Sequence, residues 1–290
     1  MNINRFENMF PEELEACIEK CPIAVLPLGT LEWHSHHLPL GFDGIVAQAL
    51  CERIASQMDA VLVPVSYSAV GGVPYPYTLQ LPISVIEPLY ATIFEQFAGM
   101  GFRVIVTFTG HFGLDQTLTL KRAAVEVMRR TAAVILPVTE YDLVTDVGYL
   151  GDHAAIGETS LMMDLFPDKV RLDAVSPETP LDGVLGRDPR EGADGERGKE
   201  WNDAIVSRTA EVALRLLNQT SPLQRIDFIE AIAAGVKVLA KLHQMRQTMV
   251  KKKVPSVGTP AYLTYCQEIY RGNYREAKTI VERKLEDLSQ

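Results

Sequence analysis

Cysteine is scarce in this chain, and the four present, Cys17, Cys21, Cys51 and Cys266, are irregularly spaced. That excludes a disulfide framework and paired Cys-x-x-Cys zinc knuckles. Cys17 and Cys21 stand one helical turn apart on an expected helix, the spacing of a face packed into a core. Long apolar runs are missing too: although 47% of residues are hydrophobic, no stretch approaches the ~20 residues of a membrane-spanning helix. The expectation is a soluble globular protein. Met1 to Glu7 has neither the basic start nor the apolar stretch of a secretory signal, so the cytoplasm is the expected compartment. Positive charge is also short, with 28 basic against 37 acidic residues and a net charge of -9. Such a balance argues against nucleic acid, whose phosphates require a basic surface. The one basic cluster, Lys251-Lys252-Lys253, reads as a solvated linker.

What the chain does contain is alternation. Ile23 to Pro27, Ala60 to Val65, Arg103 to Phe108 and Ala133 to Val138 are Val/Ile-rich runs bounded by turn residues, the pattern of strands buried on both faces. Between them, Gly44 to Met58, Val85 to Met100 and Asp115 to Arg130 carry apolar residues at helical spacing. This pattern predicts an α/β fold, a three-layer α/β/α sandwich with a mostly parallel central sheet. Residues 173 to 199, rich in Pro, Gly, Asp and Glu, read as a long surface loop. A helix is expected from Trp201 to Leu217. After Pro222 come three more, Arg225 to Met249, Pro260 to Tyr270 and Tyr274 to Leu288. Residues 1–221 are therefore expected to form the main domain and 222–290 a C-terminal helical extension that makes an oligomer contact, caps the pocket, or both.

Histidine supplies the chemical signal. Five of the six histidines fall in three short segments, each following an expected strand. Glu32, His34, His36, His37 and Asp43 follow the first, His111 the third, and Asp152, His153 and Glu158 the fourth. Ligands of open α/β sheets bind beyond the carboxyl ends of the strands. Imidazole and carboxylate converging there suit zinc, manganese or iron(II) better than calcium or magnesium. Without a neighbouring thiolate, a catalytic site is favoured over a structural one. Glu158 has a second reading as an acidic residue at the start of a helix from Thr159 to Phe166.

Three motifs carry a family resemblance. The segment Pro27-Leu28-Gly29-Thr30-Leu31-Glu32-Trp33-His34-Ser35-His36-His37-Leu38-Pro39-Leu40-Gly41-Phe42-Asp43 resembles the signature Pro-x-Gly-Ser-x-Glu-x-His-Gly-x-His-Leu-Pro-x-x-x-Asp of the creatininase family of amidohydrolases. Thr109-Gly110-His111-Phe112-Gly113-Leu114 resembles its Asn-Gly-His-Gly-Gly-Asn. Asp152-His153-Ala154-Ala155-Ile156-Gly157-Glu158-Thr159-Ser160 resembles its Asp-x-His-Ala-Gly-x-x-Glu-Thr-Ser, with one residue fewer between Asp and His. The resemblance covers roughly residues 20 to 220.

The resemblance implies two divalent metal ions, zinc first and manganese or iron as alternatives. Glu32, Asp43 and His111 would hold one ion; His34, Asp43 and a further glutamate would hold the other, with Asp43 bridging. Creatininase proper takes that last carboxylate from the position of Gly113, so here Glu158 is the expected substitute and, with His153, an expected catalytic residue. His153 matches the family's proton shuttle and His37 a supporting histidine; His36 falls at an open position, and His243 in the tail is given no chemistry. The implied reaction is hydrolysis of a small cyclic amide or formamide by a hydroxide on the metals. Ring opening of a cyclic ketone such as an oxidised inositol is a related alternative, and a catalytically idle metal-binding scaffold a distant one. Thr109, Phe112, Leu114 and Ser35 depart from the family pattern, and no tryptophan stands near Asp146 to Tyr149, which disfavours creatinine itself. A small-molecule substrate and a homo-oligomer, commonly a hexamer, complete what the resemblance implies.

Overall fold

A computed structural model describes residues 3–178, 180–219, 221–248 and 258–289. The Lys251-Lys252-Lys253 cluster and the expected helix end at Met249 lie outside the described residues.

The buried apolar runs form the centre of the molecule. Strands β2 (Ile23–Leu28), β4 (Val104–Thr109) and β5 (Val134–Thr139) are buried at every position. They belong to a five-stranded sheet in which every pairing is parallel, with order β1-β3-β2-β4-β5. Strand β3 is only Val61–Leu62, shorter than the Ala60 to Val65 run predicts. Pro64, which has no N–H to donate, interrupts it, and pairing resumes as a single bridge from Leu28 to Ser66. The edge strand β1, Asn4–Arg5, has too few residues to leave a pattern in the sequence.

From β2 the chain moves one way along the sheet to β3 and then crosses back over β2 to β4. Right-handed crossovers in opposite directions place their helices on opposite faces. Helix α1 (Pro11–Lys20) precedes β2, with Cys17 half-buried and Cys21 buried at its C-cap. Helix α2 (Phe42–Met58) groups with α5 (Ile156–Leu165) and α6 (Gly195–Asn218). Helices α3 (Ile83–Gly99) and α4 (Leu114–Arg130) pack together, and α4 is joined by α7 (Pro222–Thr248). Helices α8 (Pro260–Arg271) and α9 (Tyr274–Asp287) complete the C-terminal helical region, α9 packing on both α7 and α8. The expected three-layer α/β/α sandwich with a C-terminal helical region is thus present.

Two expected boundaries shift in ways that matter for the site. Helix α2 starts at Phe42, placing Asp43 in its first turn rather than in the preceding loop. The 173–199 segment is not wholly irregular: it contains short 3-10 turns at Leu172–Ala174 and Pro189–Glu191, and α6 already begins at Gly195. Its Leu185 bridges to His153, so part of it lies over the strand ends.

Candidate metal centre

Two glycines bring Asp43 to the sheet edge. A Cβ on Gly29, just past β2, would lie 2.3 Å from the Gly44 nitrogen, and one on Gly110, just past β4, 2.3 Å from the Asp43 carbonyl oxygen. No side chain fits in either space, so only glycine lets the first turn of α2 close against the ends of β2 and β4. The Asp43 carboxylate, 1% exposed, then sits between two histidines. Its Oδ1 is 3.1 Å from His34 Nε2 and its Oδ2 3.4 Å from His111 Nδ1.

Both imidazoles are oriented by backbone carbonyls. His34 Nδ1 lies 3.0 Å from the Glu32 carbonyl, and His111 Nε2 lies 3.1 Å from the Val70 carbonyl. A carbonyl can only accept, so each of these nitrogens carries the proton. In the neutral form that a metal requires, the lone pairs of His34 Nε2 and His111 Nδ1 would then face inward, the arrangement used by metal-ligating histidines; without metal these nitrogens carry protons toward the carboxylates. His111 Nδ1 is 2.9 Å from Glu32 Oε2, and His34 Nε2 is 3.5 Å from Glu158 Oε2.

Glu158 lies in the first turn of α5. Its Oε2 accepts from the Ala154 N–H at 2.6 Å, while Asp152 accepts from the N–H groups of Gly157 and Glu158 at 2.6 and 3.0 Å. Asp152 therefore satisfies the exposed amides of this helix start, leaving Glu158 to reach His34. Between them Ala154 sits in the left-handed region at φ 49. His153 Nε2 is 3.0 Å from the Trp33 carbonyl, which assigns its proton there and turns Nδ1 inward, 3.8 Å from Glu32 Oε1. His37 is buried, with Nε2 2.9 Å from Thr159 Oγ1, whereas His36 is exposed and edge-on to Trp33.

Two sets of potential ligands share Asp43: Glu32, Asp43 and His111; and His34, Asp43 and Glu158. A third set, Glu32, His34 and His153, overlaps both. Among the described residues none of Glu32, Asp43 and Glu158 pairs with a lysine or arginine. Glu32 Oε2, His34 Nε2 and Asp43 Oδ2 are buried without a hydrogen-bond partner. Only histidines, His34 and His111 closest, stand against these buried carboxylates, and burying charge without full compensation costs several kcal/mol per ion, so the cluster is a candidate for holding cations.

The titration of the metal-free groups shows the same tension. Burial opposes charge on His111, but the carboxylates of Asp43 and Glu32 beside it outweigh burial and raise it to about 10. Burial would raise Asp43, yet His34 and His111 hold it well below the usual carboxylate range. Glu158 is pushed well up by burial and by the charges of Glu140, Asp152 and Asp43. His153 and His37 are each lowered to about 4, chiefly by burial and then by the nearby His34 charge.

A cavity of about 840 Å³ opens onto Glu32, His111, His153 and Glu158, with Phe112, Tyr141, Leu150 and Leu185 among its apolar walls. Sequence reasoning misses one carboxylate beside the centre and three α7 residues at the cavity rim. Glu140, just past β5, is 1% exposed and hydrogen-bonded to Tyr149; it is a strand-end carboxylate that the strand-end rule flags once β5 is bounded. His243, Arg246 and Gln247 of α7 line the cavity rim, with His243 Nδ1 2.7 Å from Asp115 Oδ1.

Comparison with known proteins decides the family. The creatininase model, described as creatinine amidohydrolase, matches residues 7–213. The chain belongs to the creatininase family. This creatininase-family hydrolase is 28% identical over 186 residues to a creatinine amidohydrolase of Pseudomonas putida, covering 54% of this chain and 70% of that protein. It is 29% identical over 161 residues to a mycofactocin precursor peptide peptidase of Mycolicibacterium smegmatis, covering 52% of this chain and 61% of the peptidase. A crystal structure of creatinine amidohydrolase (creatininase) shares the fold with a TM-score of 0.65 at 23% identity, covering 76% of this chain and all (100%) of that one. Other creatininase structures of the same fold are described as the Mn form and as Zn-Zn type, each with a TM-score of 0.64 at 23% identity; they cover 75% and 76% of this chain and 100% of their own. Helices α7 to α9 lie beyond the residues the family model matches.

Proposed function

We propose that this creatininase-family chain is a dinuclear metal-dependent amidohydrolase that cleaves the C–N bond of a small cyclic amide or formamide. Glu32, Asp43 and His111 would hold one divalent ion, His34, Asp43 and Glu158 the other, with Asp43 common to both. The observation that carries this reading is the shared Asp43 carboxylate, one oxygen directed to each histidine, inside a buried set of N and O donors whose inner atoms lack partners. Such a donor set fits zinc first, with manganese and iron(II) as alternatives; related solved structures include Mn and Zn-Zn forms. When bound, the ions would make water acidic enough to attack near neutral pH and polarise the substrate carbonyl.

The remaining work falls to the chain. His153, with Nε2–H committed to the Trp33 carbonyl, offers Nδ1 toward the site as a proton acceptor. Having taken a proton, it can return it to the leaving nitrogen, the shuttle expected of an imidazole at this position. Phe112, Tyr141 and Leu150 make part of the pocket apolar, suited to the carbon skeleton of a small ring and to exclusion of bulk water.

The test is a screen of the zinc- and manganese-loaded full chain against cyclic amides, cyclic imides, formamides and cyclic ketones, following release of amine and carboxylate. Turnover of an amide, lost by two orders of magnitude or more in the His153→Ala variant, supports the reading. Turnover of ketones alone, or none of any class by a fully loaded protein, overturns it.

A further inference from the structure

Family resemblance does not account for the rim of the cavity, because helix α7 lies beyond the residues the family model matches. The last two turns of α7 nonetheless line the same cavity as Glu32, His111, His153 and Glu158. They are held there by His243, whose Nδ1 lies 2.7 Å from Asp115 Oδ1 in the first turn of α4 and whose Nε2 lies 2.9 Å from Gln247 Nε2. Arg246, in the last turn of α7, is the one lysine or arginine among the described residues lining the cavity. A cation in a last helical turn is favoured by the helix dipole alone, so its position in α7 is not what distinguishes it. What distinguishes it is its company. The other groups on the cavity wall that carry charge near neutral pH are carboxylates and histidines, and among the described residues Arg246 pairs with none of those carboxylates.

From this placement we infer that Arg246 is a specificity residue which binds an anionic oxygen substituent, carboxylate or phosphate, on the substrate, so that the natural substrate is an anion anchored at the rim while its amide lies over the metal centre. The guanidinium suits such a group because it presents parallel N–H donors to two oxygens. The chain's net charge of -9 repels anions at a distance, and a rim cation supplies the local attraction that admission of an anion needs. The apolar walls between rim and centre would take the carbon segment that joins the two ends.

This inference rests on the metal centre proposed above, and the test separates the two. Hydroxamates chelate divalent ions whatever their tail, so they probe the centre without requiring turnover. Succinic, glutaric and adipic monohydroxamates, each compared with its isosteric terminal carboxamide, are titrated by calorimetry into the metal-loaded full chain and into the Arg246→Gln and Arg246→Lys variants. The expected result is that at least one acid binds about fivefold tighter than its carboxamide, the size of an exposed ion pair. That preference vanishes in Arg246→Gln, is partly kept in Arg246→Lys, and shrinks in high salt. A matching phosphonate series separates carboxylate from phosphate: whichever tail shows the larger Arg246-dependent preference names the group. Equal binding of every charged tail and its neutral partner, or a preference unchanged in Arg246→Gln, overturns the inference while leaving the metal centre standing. Binding of no hydroxamate at all overturns the metal centre and the inference with it.

Discussion

His37 Nε2 meets Thr159 Oγ1 at 2.9 Å, tying the loop after β2 to the first turns of α5. Thr159 follows Glu158 directly, so this contact sets the position of the carboxylate that reaches His34. Replacing His37 by Ala is expected to weaken the more loosely held of the bound ions roughly 10- to 100-fold, the usual effect of losing an outer partner of a ligand. Stepwise chelator competition, read against total metal content, checks it; unchanged affinities would remove His37 from the support of the centre.

The same residue has a pH consequence. His37 is 1% exposed and its pKa falls to about 4 in the fold, below the ordinary histidine value. The unfolded chain therefore binds a proton that the folded chain refuses between about pH 6.5 and 4. The stability this group contributes is fully present above that window and is lost as pH falls through it, by up to about 1.4 kcal/mol per pH unit. Urea unfolding from pH 7 to pH 5 should show a steeper loss for the wild type than for His37→Asn. Parallel slopes would contradict the assignment.

His111 titrates the other way. Burial disfavours its charge, but Asp43 and Glu32 raise it to about 10, so without metal it is protonated through neutral pH. A ligating imidazole must be deprotonated, which makes metal uptake release close to one proton from His111 at pH 7.5 and tightens apparent affinity with rising pH. Calorimetry in buffers of different ionisation enthalpy measures that release. Uptake with no proton released would place His111 outside the metal shell.

Ser35 occupies the left-handed region at φ 56, with its hydroxyl buried and without a partner. Its family counterpart is glycine, which takes this conformation freely. Ser35→Gly is expected to stabilise the fold by about 1 kcal/mol, the left-handed strain and the buried hydroxyl outweighing the added chain entropy. Denaturant midpoints decide it, and a loss of stability would show that the serine hydroxyl has a role in the site.

Much of this could be read from the sequence, for identifiable reasons. Strands β2, β4 and β5 are buried at every position, so their apolar character is continuous and unmistakable. The residues of the centre lie beyond those strands in motifs that the resemblance matched one by one. The sequence reads Asp43 as a loop residue because α2 begins after Gly41, which has no capping side chain to mark the start. Glu140 is harder to read, because a lone glutamate after a strand has no motif around it; its place at the end of β5 is the one sequence signal, and its burial confirms it. His243 and Arg246 were illegible for a different reason. Their place at the rim comes from α7 packing along α4, a tertiary contact that no local pattern announces.

The most direct measurement is the metal content of the purified, supplemented full chain, by elemental analysis, beside its Asp43→Ala variant. About two transition-metal ions per chain in the wild type, with both lost or severely weakened in the variant, is the predicted result, because Asp43 serves both positions. A wild type that retains no metal after supplementation, or a variant that keeps both ions as tightly as the wild type, would contradict the shared-carboxylate centre on which the proposed hydrolysis depends.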